Sequence, residues 1–479
     1  MKPLKMLRNL FLGAMTIALC LNASALDLST KKVNGRVFYV YKVKKNETIY
    51  GVSKTLGLTR DEIVRHNPTA ADGLKKGMTL YFPYEEYSEP EVVEVIEPVE
   101  EVDSVVVAEQ TPSVAVILPF GLNSTEQSRQ NKLALDFYRG FLIAADSLSN
   151  RPGELEINVY DCGNNVNELR SLLGNTPQIA NSSVIIGPED EEMLEVLEQN
   201  VAGTDSYVLN IFNVRDSAYL SNANVLQANI PQKDMYALAI KAFLDYYEGY
   251  TPVILRNEKG RNEKESFVDA LVEELTSHQV EPIWVKYNGT LLVADLDVME
   301  KSEAKKYVVV SSSGALTEFN KFALVIKALR DRAAEQTSTS GDDDEVTEIA
   351  LFGYPDWTAF RGDALELLQK LNARVYSRFY DNFLSFDSRI INDDFRFWYG
   401  VDMIESIPSQ GLLGYDTGSY IIRNMRANDG RFNPQWQVQY QGIQSVFRFS
   451  KTTDGGYYNK ALYIVDFLPE GRMTQRIVY

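Results

Sequence analysis

The chain has 479 residues, too many for one ordinary domain, and its 45% apolar and 24% charged residues are globular proportions that exclude wholesale disorder. Acidic residues number 66 against 48 Lys plus Arg, and the resulting formal net charge of −18 argues against a phosphate-binding role on DNA or RNA. Two histidines and two cysteines nearly exclude zinc sites, histidine-based triads and disulfide scaffolds.

Residues 1–25 read as a cleavable signal peptide: Lys2, Lys5 and Arg8, an apolar run over 10–21, then Ala23-Ser24-Ala25. The competing reading is a membrane anchor, but the run falls short of the roughly 18–20 residues that span a bilayer. Cys20 raises lipidation as an alternative, against which Leu19 stands where a lipobox carries a small residue. No later stretch is apolar enough to span, so the mature chain is expected to be periplasmic and not membrane-spanning. Cleavage leaves a net charge of −21 and Cys162 alone, expected to be a buried, inert thiol.

Residues 27–84 are basic, with 11 Lys plus Arg against 5 acidic residues. Within them Tyr41 and Val43 alternate as a short strand. Asn46-Glu47-Thr48 supplies a turn with capping groups, and Ile49, Val52 and Leu56 recur at helical spacing. Thr59 with Glu62 forms a capping box for a second helix, which Asn67-Pro68 closes; residues 77–81 return as a strand. Residues 85–112 then carry ten acidic residues, no basic ones and prolines at 90, 98 and 112, the composition of an extended acidic linker. Fully stretched, those 28 residues reach about 90 Å.

From Ser113 onward short β-branched runs alternate with amphipathic helices. Strands are expected at 114–118, 155–160, 183–186, 207–211, 253–255, 307–311 and 349–352. Leu133, Phe137, Phe141, Ala144 and Leu148, and again Phe267, Leu271 and Leu275, keep helical spacing. This alternation implies α/β architecture with parallel sheets, here in two lobes with a cleft at the strands' carboxyl ends. Residues 334–346 (AEQTSTSGDDDEV) are read as a solvated, polar loop without calcium-loop spacing.

Residues 41–83 resemble the LysM domain, on Tyr41-x-Val43, Asn46-Glu47-Thr48-Ile49, Gly57, Asn67-Pro68 and Gly77-x-x-Leu80-x-x-Pro83. The resemblance implies a small βααβ module that binds N-acetylglucosamine-containing glycan, typically peptidoglycan. Its sugar groove would lie between two loops, carrying Asn46, Glu47, Thr48 and Ile49 on one side and Asn67, Pro68, Gly73 and Leu74 on the other. The alternative is a module that folds and no longer binds.

Residues 113–479 resemble the type 1 periplasmic binding proteins of the Leu/Ile/Val-binding kind. The motifs are VAVILPF (114–120), DFYRGFLIAADSL (136–148), VYDCGNN (159–165), VIIGPED (184–190), LFGYPDW (351–357), Phe379-Tyr380-Asp381, GYDTGSY (414–420) and GGYYNKALYIV (455–465). The resemblance implies two lobes joined by crossing strands around a ligand cleft. Where amino-acid-binding members follow Ile-Gly-Pro with small hydroxyl residues, this chain has Glu189-Asp190-Glu191-Glu192. Those carboxylates either repel a ligand carboxylate or cap a helix. Glu189, Asn213, Ser312 and Trp357 are the expected cleft residues, with Trp357 read either as a stacking surface or as a core residue.

No phosphate loop, HExxH, CxxC or GxSxG pattern occurs, so neither catalytic residues nor metal ligands are expected, nor any cofactor. The first reading is therefore a non-enzymatic wall-binding protein whose partners are peptidoglycan glycan strands and a small ligand or envelope protein. Two alternatives stand beside it: a solute-binding receptor of an ABC-type transporter, and a regulator of a cell-wall synthase.

Overall fold

The computed structural model describes residues 29–33, 36–45, 47–56, 60–67, 70, 73–83, 112–148, 155–300, 302, 304–340, 347–383, 385–436 and 439–479. The expected leader, linker residues 85–111, Asn46, Gly57, Thr59 and Pro68 lie outside the described residues. The chain divides into two compact units, Met1–Val107 and Ala108–Tyr479.

In the first unit β1 (Ser29–Val33), β2 (Arg36–Lys42) and β3 (Thr79–Pro83) form an antiparallel sheet in that order. The helices Ile49–Leu56 and Arg60–His66 lie between β2 and β3 in sequence. The expected strand–helix–helix–strand order is present, with β1 added in front and β3 starting two residues later than read. Thr48 starts the first helix: its Oγ1 accepts the Gly51 N–H at 3.1 Å. Helical spacing turns Val52 and Ile63 onto Tyr41, Val43, Leu80 and Phe82, and all are buried in one cluster.

The second unit opens with β4 (Ser113–Leu118), β5 (Glu156–Asp161), β6 (Val184–Ile186), β7 (Tyr207–Asn210) and β8 (Val225–Gln227). There follow β9 (Thr251–Asn257), β10 (Ile283–Tyr287), β11 (Lys306–Ser311), β12 (Glu348–Gly353) and β13 (Arg374–Ser377). The chain then returns through the helices Phe386–Tyr399 and Gln410–Ala427 and a hairpin of β14 (Tyr440–Gln441) with β15 (Val446–Phe447). It ends with β16 (Phe449–Lys451), β17 (Tyr457–Asn459), β18 (Leu462–Phe467) and β19 (Met473–Val478).

Two seven-stranded sheets result, β16-β17-β8-β7-β6-β4-β5 and β10-β9-β11-β12-β13-β18-β19. Each is parallel through its centre and antiparallel at one edge, so the sheets are mixed rather than parallel throughout. All seven expected strands are present. The central ones are buried on both faces, which is why they read as continuous β-branched runs. One expectation fails: the helix Leu316–Ser340 runs through residues 334–340, where the polar sequence predicts a loop. Ala333, Ala334, Glu335 and Gln336 are good helix formers, and they carry an established helix onward despite the polar sequence.

The chain crosses between the lobes three times: at residues 228–231, beyond β13 from residue 378, and at 460–461. Crossing one leaves the carboxyl end of β8, and the helix Gln232–Tyr246 runs back before β9. The carboxyl ends of both parallel strand sets therefore face the junction, the position where open α/β sheets bind ligands.

Candidate functional site

In the first lobe the strand ends are lined with backbone N–H groups, and the chain's own carboxylates occupy them. Asp161, ending β5, accepts from the N–H groups of Phe120 (3.0 Å), Gly121 (3.3 Å), Leu122 (2.7 Å) and Gly163 (3.1 Å). Asp190 caps the helix Glu191–Val201, its Oδ1 accepting from Met193 N–H at 3.0 Å, and Glu191 and Glu192 follow in the first turn. The capping reading of the acidic run is the one the structure adopts; these charges complement the helix amino terminus.

Asn213 reaches Glu189: its Nδ2 donates to the Glu189 carbonyl at 3.0 Å. Its Oδ1 accepts from the N–H groups of Arg215 and Asp216 at 2.7 and 3.2 Å. The Asn213 side chain is thus spent on shaping the loop after β7. Beneath it Asn210 donates to Gln227 Oε1 at 2.7 Å, and Gln227 donates to the carbonyls of Asn213 (2.8 Å) and Asn229 (2.6 Å).

In the second lobe the same pattern recurs. Glu263 accepts from Gly314 N–H at 2.8 Å and from the Ser313 hydroxyl at 3.0 Å, ahead of the long helix that follows β11. Lys264 pairs with Asp356 at 2.6 Å and lies 5.3 Å from the Tyr354 ring centre. Ser312, the residue after β11, has a buried hydroxyl with no hydrogen-bond partner. Trp357 is fully buried, its ring within 5.0 Å of Phe319 and stacked on Phe360 at 6.4 Å. It is a core residue with no face for a ligand, because the turn after Gly353 folds the indole back over the sheet end. A Cβ on Gly353 would lie 2.1 Å from that ring.

The crossings themselves hold polar groups that were quoted in the sequence only as motif letters or not at all. Arg378 Nε donates to the Ile230 carbonyl at 2.8 Å, tying crossing two to crossing one; burial pushes its pKa down. Asn459 donates to the carbonyls of Ala228 (3.1 Å) and Val446 (2.8 Å) and accepts from Arg448 and Ala461 N–H groups (2.9 and 3.2 Å). Around this junction Asn229 Oδ1, Arg378 Nη2, the Tyr380 hydroxyl and Asp381 Oδ1 are buried with no hydrogen-bond partner. Buried polar atoms of that kind suit a polar ligand or ordered water. Arg378 and Asn229 carry no sequence signal, since their convergence depends on which segments cross.

In the first unit the two loops named from the sequence lean on one core: Ile49 and Leu74 both pack against it. Asn67 is buried and its amide is saturated, donating to the carbonyls of Ile63 and Tyr81 at 3.0 Å each and accepting from Tyr81 N–H at 2.7 Å. Glu47 accepts from Lys44 N–H at 2.6 Å and from the Tyr41 hydroxyl at 2.8 Å. Asn67, Glu47 and Thr48 therefore hold the loops in shape, while the exposed Gly73 has a left-handed φ of 100°.

Among the described residues no group of three His, Cys, Asp or Glu side chains is placed to hold a metal ion, and no helix is long and apolar enough to cross a membrane.

No family model matches the chain, and neither does any curated protein. Solved structures do. A branched-chain amino acid ABC transporter protein from Rhodospirillum rubrum matches over 76% of this chain and 99% of its own, at 12% identity and a TM-score of 0.51. The Haemophilus influenzae LpoA C-domain, a regulator of PBP1A, matches over the same shares at 12% identity with a TM-score of 0.43. A Desulfitobacterium hafniense ABC transporter substrate-binding protein in complex with Leu does so at 12% and 0.42. At such identity the likeness is one of fold. The second unit has the two-lobed α/β fold of type 1 periplasmic binding proteins.

Proposed function

We propose that this is an exported, non-enzymatic glycan-binding protein of the periplasm. A LysM-like module at residues 41–83 holds it on peptidoglycan, and an acidic linker over 85–112 tethers a two-lobed body that binds a ligand or an envelope protein. The observation that carries this reading is the βααβ order with Ile49 and Leu74, one from each loop, packed on a single core. An apolar sugar face could rest on those two side chains, while backbone groups of residues 47–49 and 73–74 meet N-acetyl and hydroxyl groups. Asn46 and Pro68 belong to the same proposal on the sequence alone. Weak glycan binding suffices where wall polymer is locally concentrated.

The test is retention on insoluble peptidoglycan. The mature chain should sediment with it, and the chain lacking residues 26–84 should not. Equal retention of both rejects the reading.

The second reading is a solute receptor of an ABC-type transporter, favoured by the unpartnered polar atoms at Asn229, Arg378 and Tyr380. Against an amino-acid ligand stands the occupation of strand-end N–H donors by Asp161, Asp190 and Glu263. A ligand carboxylate would have to displace a resident one. A rise in melting temperature with one member of a sugar and amino-acid panel would favour this reading. Co-purification with a membrane synthase would favour a regulator of wall synthesis.

A further inference from the structure

The helix Phe386–Tyr399 has two sides of opposite character. Phe395 and Ile391 are buried, and Phe395 and Tyr399 flank Arg139, whose guanidinium lies 6.0 and 5.1 Å from their ring centres. The Tyr399 hydroxyl donates to the Arg139 carbonyl at 3.0 Å, fixing the helix to its neighbour Arg129–Leu148. Phe397, two positions from both Phe395 and Tyr399, turns to the opposite side of the helix. Phe397 is 79% exposed and Trp398 59%, their rings 5.5 Å apart at 79°. Gly400, left-handed at φ 67°, ends the helix, and the strap beyond it adds Val401 at 46% and Ile407 at 68% exposed.

An aromatic pair displayed this openly on a rigid support is the form of a binding hot spot rather than of scattered surface apolarity. The charge around it selects the occupant. Residues 386–407 carry five acidic side chains and two arginines, a net −3, and Arg129, Arg139 and Asp136 of the neighbouring helix, which touch this segment, bring the balance to −2. Arg396 is bracketed by Asp393 at 3.2 Å and Asp402 at 2.7 Å. A second copy meeting this face about a two-fold axis would set −2 against −2. An anionic lipid surface would be repelled in the same way. A sugar needs a flat aromatic platform, and the crossed rings offer one face and one edge.

We propose that Phe397, Trp398, Val401 and Ile407 form a docking surface for a basic, amphipathic segment of a partner protein. Apolar side chains of that segment cover the two rings, and its Lys or Arg residues meet Asp402 and Glu405.

The test uses the mature full-length chain and two synthetic helical peptides of about 14 residues, roughly four turns, one of Leu and Lys and one of Leu and Glu. Binding is read by calorimetry in wild type, in Phe397→Ala/Trp398→Ala and in Glu405→Lys. All these side chains are exposed, so thermal unfolding should be unchanged and serves as the folding control. The Leu/Lys peptide should bind wild type about tenfold or more tightly than the double variant, as truncating a hot spot demands. Glu405→Lys should weaken it several-fold and flatten its salt dependence. The Leu/Glu peptide should show no affinity that the double variant loses. Four outcomes would overturn the proposal: equal Leu/Lys affinity in wild type and double variant; self-association abolished by the double substitution; or loss, in that variant, of binding to phosphatidylglycerol vesicles or to N-acetylglucosamine oligomers.

Discussion

Gly140 and Gly411 meet backbone to backbone: a Cβ on Gly140 would lie 1.8 Å from the Gly411 carbonyl oxygen. The helices Arg129–Leu148 and Gln410–Ala427 are therefore packed at the closest approach a peptide backbone allows. Gly414 repeats the contact, its would-be Cβ 1.8 Å from the Phe137 carbonyl, and Gly418 faces Ala144 at 3.0 Å. GYDTGSY and DFYRG, quoted as separate motifs, are the two halves of one joint.

Gly414→Ala should therefore force the helices apart and cost about 3 kcal/mol, the range of core overpacking. Gly174→Ala is the control, because nothing lies within 4 Å of that Cβ on the helix Val166–Asn175. It should stabilise by about 0.5–1 kcal/mol. Urea unfolding monitored by circular dichroism reads both, and a neutral Gly414→Ala would show that the joint is looser than drawn.

Asp416 is fully buried and accepts from the N–H groups of Ile443 (2.6 Å), Gln444 (2.9 Å) and Ser445 (2.8 Å). Gln444 in turn holds Ser409, and its carbonyl accepts from Tyr380 N–H at 2.9 Å in crossing two. Asp416→Asn would point an NH2 at some of those donors, so a loss of about 2–4 kcal/mol is expected. Amide exchange at residues 443–445 should accelerate with it; unchanged protection would refute the clamp.

Glu198 is buried beside Asp216, and burial first, then the Asp216 charge and hydrogen bond, push its pKa up to about 9. Burial also lifts Asp416 to about 6, against the N–H bonds that pull it down. Both folded values lie above the unfolded ones, so each group's contribution is fully present at acid pH. It is lost as pH rises through about 6 for Asp416 and about 9 for Glu198. Glu198→Gln should stabilise the protein at pH 8 by on the order of 1–3 kcal/mol and make little difference at pH 4. Melting curves at the two pH values decide it. An equal shift at both would mean that Glu198 does not titrate as described.

Asn67→Ala should remove three hydrogen bonds, one to the Ile63 carbonyl within the helix Arg60–His66 and two that join Asn67 to Tyr81 of β3. A cost of about 2–3 kcal/mol would unfold much of so small a module. Peptidoglycan retention should fall together with protease resistance of residues 26–84. Lost retention with full resistance would instead place Asn67 in the sugar contact itself.

Much of the fold was legible because the signals were strong. β4, β9 and β11 are β-branched runs buried on both faces, and Phe267, Leu271 and Leu275 all turned inward. β8 escaped notice because three residues carry no period, and β10 because an edge strand alternates: Val285 and Tyr287 are buried while Trp284 is 38% exposed. The candidate cleft was legible only in outline. The Asn213 side chain is spent on its own loop and on the Glu189 carbonyl, Trp357 went to the core, and Arg378 gave no warning.

Sequence alone determined the alternation of strands and helices, the charge contrast between a +6 front segment and a −17 body over 113–479, and the poverty in catalytic residue types. These are local or summed properties, so neighbouring residues suffice to reveal them. Tertiary structure decided which polar groups are spent and which are spare. Asp161, Asp190 and Glu263 fill backbone donors, while Arg378 and Tyr380 keep atoms without partners. A carboxylate's partner can sit some forty residues away, as Leu122 does from Asp161, and only the folded sheet brings the two within hydrogen-bond reach.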